Sequence, residues 1–527
     1  MKQGKRSGSD SPSARWDAAA SLACTLAALV FYLWLGSAGT WNRFPNSTSY
    51  HGELAQAFLH GQLAFLQEPD PALLALTNPY DAAQLEGVPY PLDLSLYKGK
   101  FYAYFGPVPA LLLAPVQYLI HTVFLDRLPS FVFTCGLLIV QALLVLRIRR
   151  LYFPDTSRWY IAAALLVLQL AVPTGLMVDF AGYYATAAVM GGAFFLMAGL
   201  YAALAALTAP TISRRKLVLA GMLWAAAVGT RITHIFAIAL LTLALCALML
   251  SVERGPSRLR HAALSVAALL APVGLGMVGL ADYNYARFGS PFETGLKYQL
   301  NPQSMEKFFT ASSTLLFSPL YVVQNLANYL LRPFSPHGIF PFADLQAPWV
   351  TAVIPGLPLP AIYTPEWVVG LLWAAPFIVF SAFTVGHAVR GPVLALDRRR
   401  IGLGGVLLGL WVALLASGAV VMSFFWAAER YVPDFVYPLY MLSAIGFWLA
   451  AEQLSRTPVQ RAVFALISLC LVAASVLIGN LLALGQAKVQ FDLLNPGAWG
   501  HLQQLAGGDL RRFHPELWLR LRELLGK

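Results

Sequence analysis

Residues able to do acid–base or anion-binding chemistry are sparse in this chain and gather between apolar runs. His51 and Glu53 open the stretch HGELAQAFLHGQL at 51–63. A carboxylate held there can act as a general base toward a hydroxyl, or can simply complement the dipole of a short amphipathic helix. Asp81 sits in NPYDAAQLEG, and Asp93 precedes Lys98 and Lys100 in DLSLYKGK. Further along come Asp179, Arg231 with His234, then Arg287 in ADYNYARFGSPFETG, and Glu429, Arg430 and Tyr431 in FWAAERYVPDF. Arg231 and Arg430 lie beside apolar segments, where an unpaired charge is expensive. Each needs a carboxylate partner or an anionic ligand, and the guanidinium fork suits phosphate. The catalytic candidates are therefore Glu53, Asp93 and His51. The substrate-binding candidates are Asp179, Lys98, Lys100, Arg231, Arg287, Glu429, Arg430 and Tyr431. His51 and Glu53 alone do not make a metal site. The four cysteines fall inside apolar runs without a CxxC pair, as small buried hydrophobes do. No cofactor is expected, and a divalent metal has no motif behind it.

The elements that must position these residues are membrane helices. Of 527 residues, 58% are hydrophobic and 12% charged, against about 25% charged in soluble proteins. Mean hydropathy is +0.63. Apolar segments long enough to be candidate spans occur near 18–38, 105–124, 129–146, 159–177, 183–207, 217–230, 233–250, 262–281, 366–386, 401–424, 434–451 and 460–484. The first follows a basic, Ser-rich start and is long for a signal-peptide core, so it reads as a retained span.

Charge in the connections decides which segments cross. The N-terminus, RIRRLYFPDTSR (147–158), SRRK (213–216), 253–261, 390–400 and 455–461 are all basic. Basic loops stay cytoplasmic. All six share the inner side if 105–124 does not cross, and Pro107, Pro109 and Pro115 also disfavour a straight span there. The expected fold is an all-α polytopic membrane protein of about eleven spans, with an interfacial helix at 105–124. Residues 1–17 form a cytoplasmic basic tail, and 18–484 the membrane domain. Outer loop one runs over 39–128 and outer loop two over 283–365. The tail 485–527 is amphipathic and falls on the extracytoplasmic side. The net charge of +11 belongs to these inner loops, not to nucleic-acid binding.

The order of several short motifs resembles the GT-C superfamily of integral membrane glycosyltransferases, in its protein O-mannosyltransferase and lipid A aminoarabinose transferase branch. An amphipathic helix after the first span carries Ala55, Leu59 and Gly61, and a PxP helix carries Pro107 and Pro109. Asp179 follows span three, Gly229 and Arg231 follow span five, and YNYARFGSP follows span seven. ERYVPDFVYP, from Glu429 to Pro438, precedes span ten. The resemblance implies a GT-C-like fold in the plasma (inner) membrane of a cell envelope. It implies a polyprenyl-phosphate-linked sugar donor, a glycan, lipid or protein acceptor, and inverting hexosyl or pentosyl transfer at the extracytoplasmic face. The family places an acidic pair directly after the first span. Here that position falls near Ser47, which leaves Glu53, Asp93 or Asp81 as the acid.

Two other classes compete. A transporter or lipid flippase carries ionisable groups at mid-membrane, whereas these spans are nearly charge-free. A glycan polymerase or ligase also works at the outer face between large loops, and differs in taking a diphosphate-linked glycan.

Overall fold

The computed structural model describes residues 12–252, 257–302, 316–353, 359–360, 362–391, 393, 401–507 and 516. The amphipathic stretch at 509–527 lies outside the described residues except for Glu516, and so does the basic start at 1–11.

Apolar runs become helices because lipid offers the backbone no hydrogen-bond partner. Among the described residues nine helices are long and apolar enough to span. They include α1 (Pro12–Gly36), which is followed by two shorter helices of loop one, α2 (Tyr50–Leu59) and α3 (Val108–Ile120). Next come α4 (Arg127–Tyr152), α5 (Arg158–Leu170), α6 (Tyr184–Leu207) and α7 (Arg214–Thr230). The chain continues through α8 (Ile235–Val252), α9 (Arg258–Phe288), α10 (Val322–Leu331) and α11 (Leu403–Met422), and ends in α12 (Pro433–Leu454), α13 (Pro458–Leu494) and α14 (Pro496–Leu505). The third span, begun by α5, is completed by a short helix, Thr174–Asp179. Seventeen-residue α7 packs along α6 and α9. It and the interrupted segment 371–390 stand at the two of the eleven expected spans that are not among these nine.

Two segments differ from expectation. The run 366–386 is not one helix but Leu371–Ala374, a 3-10 turn at Pro376–Ser381 and Ala382–Arg390. Pro376 has no amide to continue the first piece. Gly446 of α12 passes so close that a Cβ there would lie 1.9 Å from the Phe380 carbonyl oxygen. Helix α13 runs ten residues past the expected end at 484. Its start is fixed by a capping box, in which Thr457 Oγ1 accepts from Gln460 N–H at 3.2 Å and Gln460 Oε1 accepts from Thr457 N–H at 3.0 Å.

The segment 105–124 forms only the 13-residue α3. At ~1.5 Å per residue it reaches ~20 Å, short of the ~30 Å hydrocarbon core. It packs against α2 and leaves Leu111, Leu112 and Leu119 exposed, as an interfacial helix does. Loop one otherwise holds a hairpin, β1 (Ser95–Tyr97) with β2 (Lys100–Tyr102), in the register Ser95↔Tyr102. Its core joins Leu54 and Ala55 of α2 to Leu96, Phe101 and Leu113.

Helix α12 is the axis of the bundle. Its spanning window is wholly buried, whereas that of α9 is 11% buried and faces outward. The first residues of α12 therefore sit where many elements converge. The outer layer is docked on this bundle by a backbone contact: a Cβ on Gly106 would meet the Gly229 carbonyl oxygen at 1.9 Å.

Replacing Gly106 with alanine should lower stability by about 1–3 kcal/mol through this overlap, read as thermal unfolding in detergent. Gly279→Ala, where a Cβ meets nothing within 4 Å, should be neutral or slightly stabilising.

Candidate active site

The site begins with a carboxylate in an unusual backbone setting. Asp93 has φ +66, in the left-handed region that aspartate tolerates better than most residues. It is held there by pairing between the loops: Asp93 N–H donates to Leu300 O and Leu300 N–H to Leu94 O, each at 2.9 Å. Ser95 Oγ adds a bond to Gly295 O at 2.8 Å. The Asp93 side chain then collects four donors. Gln299 Nε2 and Asn301 Nδ2 reach Oδ1 at 2.8 and 2.7 Å. Tyr184 donates its hydroxyl to Oδ2 at 2.6 Å, and Tyr183 donates to the same oxygen. Burial and the nearby Asp93 charge push the Tyr183 and Tyr104 hydroxyls upward, Tyr104 to about 12. Both remain protonated donors at neutral pH.

Asp93 lines a cleft of about 1420 Å³, open solvent at its mouth included, together with Arg231, Arg287, Arg430 and Tyr431. Arg231 follows the end of α7 in extended backbone. Its Nε bonds both Asp434 oxygens at 3.2 Å and its Nη2 bonds Oδ2 at 3.0 Å. Thr233 Oγ1 donates to Asp434 Oδ2 at 3.2 Å, and His234 Nε2 lies 3.9 Å from Oδ1. Asp434, in the first turn of α12, is fully buried. Arg287, in the last turn of α9, spends its donors on neutral oxygens: Ala103 O, Tyr283 O at 3.3 Å and Asn284 Oδ1 at 2.7 Å. Arg430 Nη1 pairs with Glu366 Oε2. The Arg231 and Arg430 guanidinium carbons lie 5.4 and 5.1 Å from the centre of the Tyr431 ring, within cation–π range.

Helix α10 positions the Arg430 segment. Asn325 Nδ2 donates to Met422 O at 2.9 Å and to Phe424 O at 2.8 Å. Tyr329 Oη accepts from Ala428 N–H at 2.9 Å. Apolar side chains also line the cleft, among them Leu280, Phe317, Val420, Val421 and Phe424.

The remaining sequence candidates lie elsewhere. His51 is fully buried outside the lining, with Nδ1 2.8 Å from Asp126 Oδ1. Asp126 also takes the Tyr50 and His51 amides at 2.8 and 2.9 Å. Glu53 stands in the first turn of α2, off the cleft, and accepts from Ser49 Oγ. Lys98 and Lys100 are exposed at the hairpin tip, and Lys98 Nζ sits 5.2 Å from the Tyr97 ring centre. Asp179 ends the helix Thr174–Asp179, and its side chain lies outside the described residues. Glu429 is buried behind the lining and accepts from Val369 N–H at 3.2 Å. Asp434, Glu366, Gln299, Asn301 and the Tyr183–Tyr184 pair enter the site without having been singled out. Asp434 carried a readable signal, since a carboxylate at the mouth of an apolar helix needs a cation. The neutral amides carry none. Among the described residues no three His, Cys, Asp or Glu side chains form a metal-ligating group.

No protein-family model matches the chain, and neither does any curated protein. Solved structures of the oligosaccharyltransferase of Archaeoglobus fulgidus are similar in chain course. The apo form gives a TM-score of 0.48 at 14% identity over 89% of this chain. The form with an inhibitory peptide and a dolichol-phosphate gives 0.45 at 13% over 89%. A third, tethered to an acceptor peptide, gives 0.44 at 12% over 89%. This chain spans a little over half of the archaeal protein, 56% in the first two and 55% in the third. The archaeal enzyme has the GT-C fold. The match concerns the course of the chain.

Burial raises Glu429 from the ordinary carboxylate range to about 8. A raised folded-state pKa contributes stability that is complete below the unfolded value near 4.5 and is lost as pH rises through 8. Thermal unfolding in detergent should therefore show stability falling between about pH 5 and 8. Glu429→Gln should flatten that slope.

Proposed function

We propose that this chain is a membrane glycosyltransferase that moves a sugar from a polyprenyl-phosphate donor to an acceptor hydroxyl at the extracytoplasmic face, with inversion. One observation carries the reading. A single cleft unites the Asp93 carboxylate, three arginines and apolar side chains that include Leu280 of α9 and Val420 and Val421 of α11. The carboxylates lining it, among the described residues, are Asp93 and Asp434. Asp434 is committed to Arg231, which leaves Asp93 as the base.

In the proposed step the acceptor hydroxyl replaces a phenol on Asp93 Oδ2 and gives up its proton there. Its oxygen forms the new bond to the anomeric carbon. The bond from that carbon to the phosphate oxygen breaks, and its electron pair leaves with the lipid phosphate. One displacement inverts the centre. Arg231 and Arg430 stabilise the charge that develops on the departing phosphate. Arg287, buried and bonded to neutral groups, adds positive potential without a carboxylate to cancel it. Phe317, Phe424 and Val421 supply the surface for the first isoprene units.

Mass spectrometry of lipid retained by the purified protein should find a polyprenyl monophosphate, bare or carrying one sugar; a diphosphate-linked glycan would move the chain to the polymerase or ligase class. Asp93→Asn should lower turnover by about 10²–10⁴-fold with donor still bound, and turnover near wild type would exclude Asp93 as the base. The membrane side has its own check. A cysteine at Lys98 should react with an impermeant thiol reagent from the extracytoplasmic face of intact cells, and protection there would reverse the orientation.

A further inference from the structure

The two arginines that share Tyr431 are held by partners of different kinds. Asp434 is fully buried, whereas the Glu366 side chain is 41% exposed and that of Arg430 28%. Asp434 bonds Arg231 through two nitrogens and also takes the Thr233 hydroxyl. Breaking such a buried pair strands a charge away from water. Glu366 binds Arg430 through one oxygen, while its other oxygen accepts from Trp426 Nε1 at 3.0 Å. The Glu366 backbone is tied down by its amide on Ala427 O at 2.7 Å. Its carboxylate can thus swing into water by rotation about side-chain bonds, with no loop displaced. A partly exposed pair of this kind contributes little to stability.

We propose that Glu366 is an exchangeable counterion: its carboxylate occupies the phosphate position on Arg430 until an anionic lipid headgroup displaces it, while Arg231 stays locked to Asp434. The inference rests on the lipid-phosphate reading of the cleft and adds a residue that sets its selectivity. A neutral lipid offers Arg430 nothing in return for the lost carboxylate. A phosphate restores the pairing and gains the second guanidinium beyond Tyr431. The latched fraction of the protein lowers apparent affinity in proportion to its population, so removing the carboxylate strengthens binding of the anion alone.

The test uses the full chain in detergent with farnesyl phosphate and farnesol as probes. Glu366→Gln keeps an acceptor for Trp426 and removes the charge. It should bind farnesyl phosphate about two- to fivefold more tightly than wild type, with farnesol affinity unchanged. In the wild-type protein, farnesyl phosphate should change Trp426 emission, identified by its loss in Trp426→Phe, and farnesol should not. This second readout needs no substitution at Glu366 and stands if E366Q folds poorly. Equal or weaker binding of farnesyl phosphate by folded E366Q, or binding to wild type without a Trp426 response, overturns the counterion role and leaves the lipid-phosphate reading in place. If farnesyl phosphate binds neither protein, that reading fails, and the counterion role with it.

Discussion

Much of the outer half hangs on one carboxylate with four donors. Asp93 belongs to loop one, its phenol partners to the start of α6, and its amide partners to the chain that follows α9. Three parts of the fold are therefore tied at one pair of oxygens. A buried carboxylate without hydrogen bonds would be costly, and these four bonds hold the loops in place in return. The left-handed backbone at this residue fits the same account. Local strain persists only where the surroundings over-determine it, and here the paired backbones of 93–94 and 300 do so.

The arginines are organised by a complementary rule. A guanidinium in a poorly hydrated place needs a partner, and the chain supplies three solutions. Arg231 receives a permanent anion, Arg430 an exposed one, and Arg287 only carbonyl and amide oxygens with aromatic faces, its guanidinium carbon 3.8 Å from the Tyr283 ring centre. The cleft thereby contains cations of graded availability within one lining.

The spans were legible because lipid removes every alternative to a helix, and α3 was legible as interfacial from loop charge and its prolines. The break at 371–390 was not, because hydropathy reports solvent and not hydrogen bonding. What interrupts this segment is Pro376 together with the close passage of Gly446. Among site residues, Arg231 and Arg430 stood out as charges beside apolar runs and Asp93 as an acid of loop one, and the cleft gathers all three. His51 and Glu53 stood out at the start of a short amphipathic helix in the same loop, yet the fold turns them to local uses: His51 to the buried Asp126, and Glu53 to the Ser49 hydroxyl. Two acids in one outer loop look alike in sequence. Only pairing between segments some 200 positions apart, as in Asp93 with Gln299, distinguishes the one that faces the cleft.

Helix α13 has 37 residues, or ~55 Å at 1.5 Å per residue, well beyond a ~30 Å hydrocarbon core. Its far end is engaged with the outer layer: Gln486 Nε2 bonds Asp344 Oδ1 at 2.9 Å, and Asn495 Nδ2 bonds Ala38 O at 3.1 Å. A continuous rod tied to other segments at its far end acts as a mast. Tilting it by one degree moves its tip by about 1 Å, and helices adjust their tilt to the thickness of the bilayer around them. The surrounding lipid thus becomes a mechanical input to the segments around Asp344 and Ala38.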